Sequence, residues 1–333
     1  MANIEVATWA ELVSAIESFT DGDTIKITAD IDLTSSHPYG VGKITLDADK
    51  TYIIDGGYTM GGFQLSHIIK GLSNNLSSPE DLFYAPEETT GFKLLNIDFY
   101  NITLANGDFY KNTNADAPKV EFTRVRFLGS RTGNSYLINA KHIKVVSCYF
   151  NIPWNGLNQS NLAYTSLAPK PANSSTSADY EALYCWFHEH YGGWTVPRYM
   201  ASNSQNYNSW SCFCFKLSGC YVDGDMTVST YVQGPAYVAC EVLQQATVWS
   251  YTPSAMNVLD VDITCTANQS IAAYGYWFGV YIDKVKQANG NPVSSWSAGY
   301  DVGTSKPRPL IATVSEAKDA QWLNSHGFDI AYP

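Results

Sequence analysis

Asp260 and Asp262 are the pair of side chains in this 333-residue chain best spaced for acid–base work. They flank Val261 in the run Val258-Leu259-Asp260-Val261-Asp262-Ile263. If that run is a strand with Val261 inward, both carboxylates face outward, with Cα atoms roughly 6.5–7 Å apart. Such a spacing admits an inverting glycosidase pair, one acid and one base. It also admits a calcium site built from carboxylate oxygens, or a solvated strand face, which is the preferred reading. Neither Asp has an Arg, Lys or His in register, and a general acid needs surroundings that raise its pKa. Asp223-Gly224-Asp225 has the same spacing, but its glycine reads first as a turn.

One other cluster has the composition of a metal site. His188-Glu189-His190 follows Cys185 by three residues. Zinc takes His and Cys ligands, yet the spacing is not H-x-x-x-H. On a strand the two imidazoles would share a face opposite Glu189. The competing reading is an aromatic-rich loop whose imidazoles bond backbone. No nucleophile elbow, P-loop or dinucleotide fingerprint occurs, so no cofactor is expected. Exposed aromatics in the same region, Trp186 and Trp194, could stack on sugar rings and are the candidate glycan contacts.

The elements that must position these residues are read from an echo. An apolar residue, two others, an apolar, one other and an apolar recur five times. The copies are Leu94–Phe99, Phe122–Phe127, Val145–Phe150, Leu217–Val222 and Val258–Ile263. Their central apolar residues are Ile97, Val125, Cys148, Cys220 and Val261. Spacings of this order mark repeat architectures, and the final alternation has strand periodicity. Each copy reads as strand, bend, strand, with Asn, Arg, Ser, Gly or Asp at the bend. The fold expected is all-β, each copy one coil of a β-solenoid. In that register Phe99, Phe127 and Phe150 form an internal stack beside Ile97, Val125 and Cys148. Asp98 and Arg126 become outward, exposed neighbours.

A helix is predicted over residues 8–19. Thr8 and Glu11 form a capping box. Trp9, Leu12, Val13, Ile16 and Phe19 share a face. Ahead of the first strands such a helix can cap the open end of a solenoid. Residues 151–211 interrupt the echo with polar, turn-rich sequence and Ala168-Pro169-Lys170-Pro171, and read as a long loop excursion on the flank. The β-helix is expected to span 1–269. A strand and helix module is expected over 270–333, its helix at about 314–325 between a Thr313/Glu316 capping box and Gly327.

Charged residues are 15% of the chain, the net charge is −11, and Tyr (23) and Trp (9) are abundant. No basic stripe is present to neutralise phosphates, which argues against a nucleic-acid partner. No apolar run approaches a membrane span. Met1-Ala2-Asn3-Ile4-Glu5 lacks the basic and apolar regions of a signal peptide. Cytosolic synthesis is therefore expected, with reduced thiols among the seven cysteines.

Trp9–Ile16, Gly22–Ile27 and Asp30–Leu33 together resemble the opening of right-handed parallel β-helix proteins of the pectate-lyase-like superfamily. Thr51–Met60 resembles the strand, Asp-Gly, strand element of their first coils. The resemblance extends over about residues 5–265 and implies architecture. Enzymes of that superfamily carry constellations that this chain departs from. It has no Asn-Thr-Asp strand, Asp-Asp pair, Gly-His-Gly or Arg-Ile-Lys. No carboxylate cluster lies in register with Arg198 or Arg308. The segment Ala317–Phe328 is similar to a tail of virion proteins of phages of gut bacteria. The resemblances imply a non-enzymatic structural or host-recognition protein of a phage particle: a fibre, spike or capsid decoration. Its expected location is the virion. Its expected partners are other virion proteins and cell-surface glycan, and its expected assembly is a homotrimer. The alternative is a polysaccharide lyase or glycoside hydrolase of β-helix fold that uses Asp260 and Asp262.

Overall fold

The computed structural model describes residues 2–112, 118, 120–132, 135, 137–140, 142–152, 167–169, 177–187, 211–222, 226–230, 236–242, 246–250, 258–263, 271–275 and 279–281. The chain divides into two compact units, Met1–Ala172 and Asn173–Pro333. Among the described residues the protein is strands with a single helix, Trp9–Glu17, and no helix is long and apolar enough to cross a membrane.

The first unit is three parallel ladders, visited in the same order on each pass of the chain. One ladder holds Asn3–Val6, Thr24–Ile27, Thr51–Asp55, Gly91–Leu95, Val120–Thr123 and His142–Val146. The next holds Ile31–Asp32, the second half of Phe63–Lys70, Ile97–Ala105, Arg126–Thr132 and Tyr149–Asn151. The last holds Ile44–Thr45, Phe83–Tyr84, Tyr110–Asn112, Ile138–Ala140 and Leu167–Pro169. Parallel strands bury both ends of each connection against neighbours. The interior is accordingly filled by one apolar residue after another from all three ladders.

In three successive rungs the bend is set by a residue in the left-handed region. Asn96, Arg124 and Ser147 have φ of 53°, 52° and 52°. The turn lets both flanking strands send apolar side chains inward. Ile97, Val125 and Cys148 are buried, and so are Phe99, Phe127 and Phe150. The phenylalanines stack as expected: Phe99 and Phe127 have centroids 4.9 Å apart at 5°, and Phe127 and Phe150 lie 5.9 Å apart at 6°. Phe109 meets Phe99 and Phe127 edge-on from the third ladder, each at 5.2 Å.

A bulge follows the bend in Ile97–Ala105. The register to Arg126–Thr132 shifts between Tyr100 and Ile102, and the extra residue Asn101 has φ of 54°. Gly129 lies opposite. A Cβ there would sit 2.0 Å from the carbonyl oxygen of Ile102, so only glycine admits the bulged backbone.

The capping helix starts one residue later and ends two residues earlier than the sequence predicts. Thr8 is its N-cap and forms the full capping box with Glu11; Ser18 ends it. Trp9, Leu12, Ala15 and Ile16 are buried, while Val13 is half-buried. Phe19, just past the helix, stacks on Tyr52 at 4.7 Å and fastens the cap to the third rung.

The strand expected after Asp55-Gly56 leaves the ladders. Gly57–Met60 folds back antiparallel on Phe63–Ser66. Gly61 and Gly62, at φ of 58° and 83°, supply the two left-handed positions that a tight hairpin turn requires. Tyr58, Met60 and Phe63 on this hairpin are exposed, and Tyr58 stacks on His67 at 4.3 Å.

The second unit has two parallel ladders. One contains Ser177–Leu183 with Trp186–Phe187, then Ser211–Val222, Ala236–Val242, Val258–Ile263 and Gly279–Tyr281. The other contains Met226–Thr230, Ala246–Ser250 and Ile271–Gly275. Three readings of the sequence change here. Within the 151–211 segment, Ala182-Leu183-Tyr184-Cys185-Trp186-Phe187 is a further copy of the echo, with Tyr184 at the bend with φ of 53°. Val258–Ile263 pairs with Ala236–Val242 without a shift, so it runs straight where a bend at Asp260 was expected. Both ladders also run past residue 269. The helix expected at 314–325 lies outside the described residues.

Candidate functional site

On the outside of the first unit, polar side chains from successive rungs join in files. Lys26 Nζ is 2.5 Å from Asp55 Oδ2. The Asn96 amide and the Gly57 N–H both donate to Asp55 Oδ1 at 2.8 Å. Arg124 Nε then donates to Asn96 Oδ1 at 2.5 Å. Two of these side chains, Asn96 and Arg124, are bend residues, so the left-handed turn both shapes the interior and aims the file. A second file places Lys93 Nζ 3.0 Å from Glu121 Oε1, with Lys144 next in register.

Burial pushes the Asp55 carboxyl up, but the bonds from Asn96, Lys26 and Gly57 outweigh it and hold its pKa below the usual carboxylate value. A carboxylate lowered by folding stabilises the protein above its ordinary pKa, near 3.9. That contribution disappears as the pH falls through this value and then through the lower folded one. Asp55→Asn therefore flattens the fall in thermal midpoint below about pH 4 relative to the parent. Asp55→Ala at neutral pH costs about 1–3 kcal/mol, because it strips acceptors from the Asn96 amide and the Gly57 N–H. A parent and Asp55→Asn with superimposable acid limbs would rule this file out as a source of stability.

Asp98 and Arg126 are register partners, as the echo predicts. The expectation that both are exposed is corrected. Arg126 is half-exposed, whereas Asp98 is 2% exposed. The guanidinium covers the carboxylate, Nε donating to Oδ1 at 2.7 Å and Nη2 to Oδ2. Two parallel charge-assisted bonds form because the planar fork of arginine matches a carboxylate.

Trp186 stands at the place in its echo copy that Asp98, Arg126 and Tyr149 occupy in theirs. It is 45% exposed, between buried Cys185 and Phe187. Tyr184, two residues earlier at the bend, is 52% exposed. Sequence reading missed Tyr184, since a bulky aromatic is not a turn-forming residue. Cys185 is interior: its thiol donates to the Leu183 carbonyl at 3.3 Å, and it is one residue before Trp186 as Cys220 is before Tyr221, the register partner of Trp186. His188, His190 and Trp194 lie outside the described residues. Among the described residues, no three His, Cys, Asp or Glu side chains cluster to hold a metal.

Asp260 and Asp262 sit in one straight strand. Asp260 pairs with Ala239 on one side and Tyr281 on the other, and Asp262 pairs with Glu241. Among the described residues, no Arg, Lys or His is in register with either. What the rungs do bring together is a file of one residue per strand: Trp186, Tyr221, Glu241 and Asp262.

Residues 3–132 match the family model described as "Putative pectate lyase-like adhesive domain". The match supports the pectate-lyase-like superfamily. It covers the capping helix, the hairpin and the rungs up to the strand Arg126–Thr132. No curated protein and no solved structure matches the chain.

Proposed function

We propose that the chain is a non-enzymatic structural or host-recognition protein of a phage particle, built as a right-handed parallel β-helix and assembled as a trimer. The observation that carries the non-catalytic part is the match of residues 3–132 to a family described as adhesive. Within each unit, stacked parallel rungs present a repeating outer face, which suits a fibre, a spike or a capsid decoration. Its partners on this reading are other virion proteins and a cell-surface glycan, and its location is the particle.

The test is direct. Phage particles purified on a density gradient from the host culture should contain the chain at many copies, detected by mass spectrometry of the banded particles. The purified chain should sediment as a trimer and leave neutral and uronate polysaccharides intact, with or without calcium. The alternative is a β-helix lyase or hydrolase acting through Asp260 and Asp262. Cleavage of any polysaccharide that vanishes in Asp260→Asn or Asp262→Asn would establish it.

A further inference from the structure

The hairpin formed by Gly57–Met60 and Phe63–Ser66 is apolar on one face. Its register pairs Tyr58 with Leu65 and Met60 with Phe63. Register partners in an antiparallel pair point to the same side, and so do residues two apart on one strand. Tyr58, Met60, Phe63 and Leu65 therefore share one face, and Gly57, Thr59, Gln64 and Ser66 share the other. The polar face lies beside Asp55 and Asn96: a Cβ on Gly57 would meet Gln64 Nε2, Asn96 Nδ2 and Asp55 Oδ1 within 3.0 Å. On the apolar face Phe63 is 73% exposed, Met60 64% and Tyr58 37%. Of the seven large apolar side chains exposed among the described residues, these three lie within six positions of sequence. Apolar residues scattered singly over a surface need no explanation, but a cluster of them marks a contact.

We infer that this face docks against the same hairpin of a second copy of the chain. The inference rests on the reading above that copies assemble, and names where they touch. Two features choose the occupant. The first is charge. From Gly56 to Ser66 no residue is charged, on a chain of net charge −11. Two such chains repel, and their approach costs least through a segment that carries none of that charge. The second is the backbone. Gly57–Met60 has one partner strand among the described residues, so among them its other edge is open. That edge has no lysine, proline or bulge of the kind that keeps edge strands from pairing. A bilayer would accept the apolar side chains but would leave the open edge without hydrogen bonds, which hydrocarbon does not tolerate. Asp30, 65% exposed beside His67, also sets a carboxylate near the base of the hairpin, and anionic headgroups repel it. A second hairpin supplies both an apolar face and a strand edge. Around a symmetry axis the same element of each copy meets its counterpart.

The base of the hairpin is tied down, so its face is presented ready for contact. Tyr58 stacks on His67 at 4.3 Å. His67 Nδ1 lies 3.2 Å from Asp30 Oδ1, and the Ile68 N–H donates to the same oxygen at 2.9 Å. Groups already held in place lose less freedom on association. Three large side chains are far fewer than the roughly 20–30 residues that a standard interface takes from each side. The hairpin is therefore the centre of the contact and not its whole extent. An aromatic lost from such a centre weakens association more than a residue lost from the rim.

Sedimentation velocity of the full chain over a concentration series tests the contact. The parent should associate, and Phe63→Ser should raise the dissociation constant at least about tenfold, with an unchanged thermal midpoint because the ring is at the surface. Met60→Ser should weaken association as well, and Phe63→Leu should retain most of it. Tyr39→Ser and Leu76→Ser, exposed apolar positions outside the hairpin, should weaken it less than Phe63→Ser does. The photo-crosslinker p-benzoylphenylalanine in place of Phe63 should join two copies through a peptide that contains residues 57–66. The inference is overturned if Phe63→Ser associates as the parent does, if the crosslink reaches another part of the chain, or if the parent does not associate. Flotation with phosphatidylcholine vesicles that requires Phe63, by a chain that stays monomeric, would overturn it in favour of lipid. The number of copies separates this inference from the reading beneath it. A trimer insensitive to Phe63→Ser leaves the trimer standing without this contact, whereas a dimer lost in Phe63→Ser leaves the contact standing without the trimer.

Discussion

Phe127→Ala lowers the unfolding free energy by about 3–5 kcal/mol. The ring is fully buried and is the middle member of the stack. Phe99 lies over one face at 4.9 Å and Phe150 over the other at 5.9 Å. Phe109 closes one side at 5.2 Å and Phe122 lies tilted at 5.7 Å. The four aromatic neighbours cannot all move inward, because Phe99, Phe122 and Phe150 are fixed by the parallel register of their strands and Phe109 immediately precedes the strand Tyr110–Asn112. The void therefore stays open, and the lost contacts add to the lost transfer energy. Phe127→Leu refills most of the volume and should cost clearly less. A urea midpoint for Phe127→Ala within about 1 kcal/mol of the parent, at unchanged slope, would show that the rungs collapse onto the gap.

This part of the molecule was legible in the sequence because its pattern is local. The residues that carry the register, Ile97, Val125 and Cys148 with their phenylalanines two places on, stand in runs of six. Within each run the central apolar residue is preceded by the bend residue, Asn96, Arg124 or Ser147. The copy at Ala182–Phe187 was hidden for two physical reasons. Its first apolar position is a small alanine, and its bend is a tyrosine, which sequence rules do not place at positive φ. Cys185 thus divides the interval of 72 between Cys148 and Cys220. Past Cys220 the bend itself changes. Ser211–Val222 shifts register at Gly219, and the next two strands run straight. A pattern built on a bend could not find Ala236–Val242, which carries Cys240 opposite Cys220.

The candidate site was legible only in part, for a related reason. Trp186 was visible as an aromatic in polar surroundings. Its relation to Tyr221, Glu241 and Asp262 depends on passes of unequal length, and sequence spacing does not report registers between such passes. The strand, Asp-Gly, strand element of Thr51–Met60 was legible, but not that its second strand turns back as a hairpin on Phe63–Ser66. The reversal is set only by Gly61 and Gly62, beyond the end of that run.

Arg131 gives the second large effect, and no sequence rule pointed to it. Its register partner on the preceding rung is Leu104, so an arginine occupies a place that another rung fills with an aliphatic side chain. It is fully buried. Nε donates to the Ile152 carbonyl and Nη1 to the Ser135 carbonyl, each at 3.2 Å. Ser135 in turn donates its hydroxyl to the Thr132 carbonyl at 2.7 Å and accepts from the Gly107 N–H at 3.3 Å. The guanidinium thus ties the corner after Arg126–Thr132 to the strand end of the following rung. Arg131→Ala should cost about 3–5 kcal/mol, since it opens a cavity and leaves two buried carbonyls without these donors. Arg131→Met fills most of the space but restores neither bond, so it should recover the cavity part alone. Arg131→Lys keeps the charge yet loses the planar fork that reaches two acceptors in different directions, and should not recover parent stability. Denaturation midpoints ordered parent, Met, Ala would assign the effect to both causes. A methionine variant as stable as the parent would show that the corner is held by packing and that the two carbonyls find other donors.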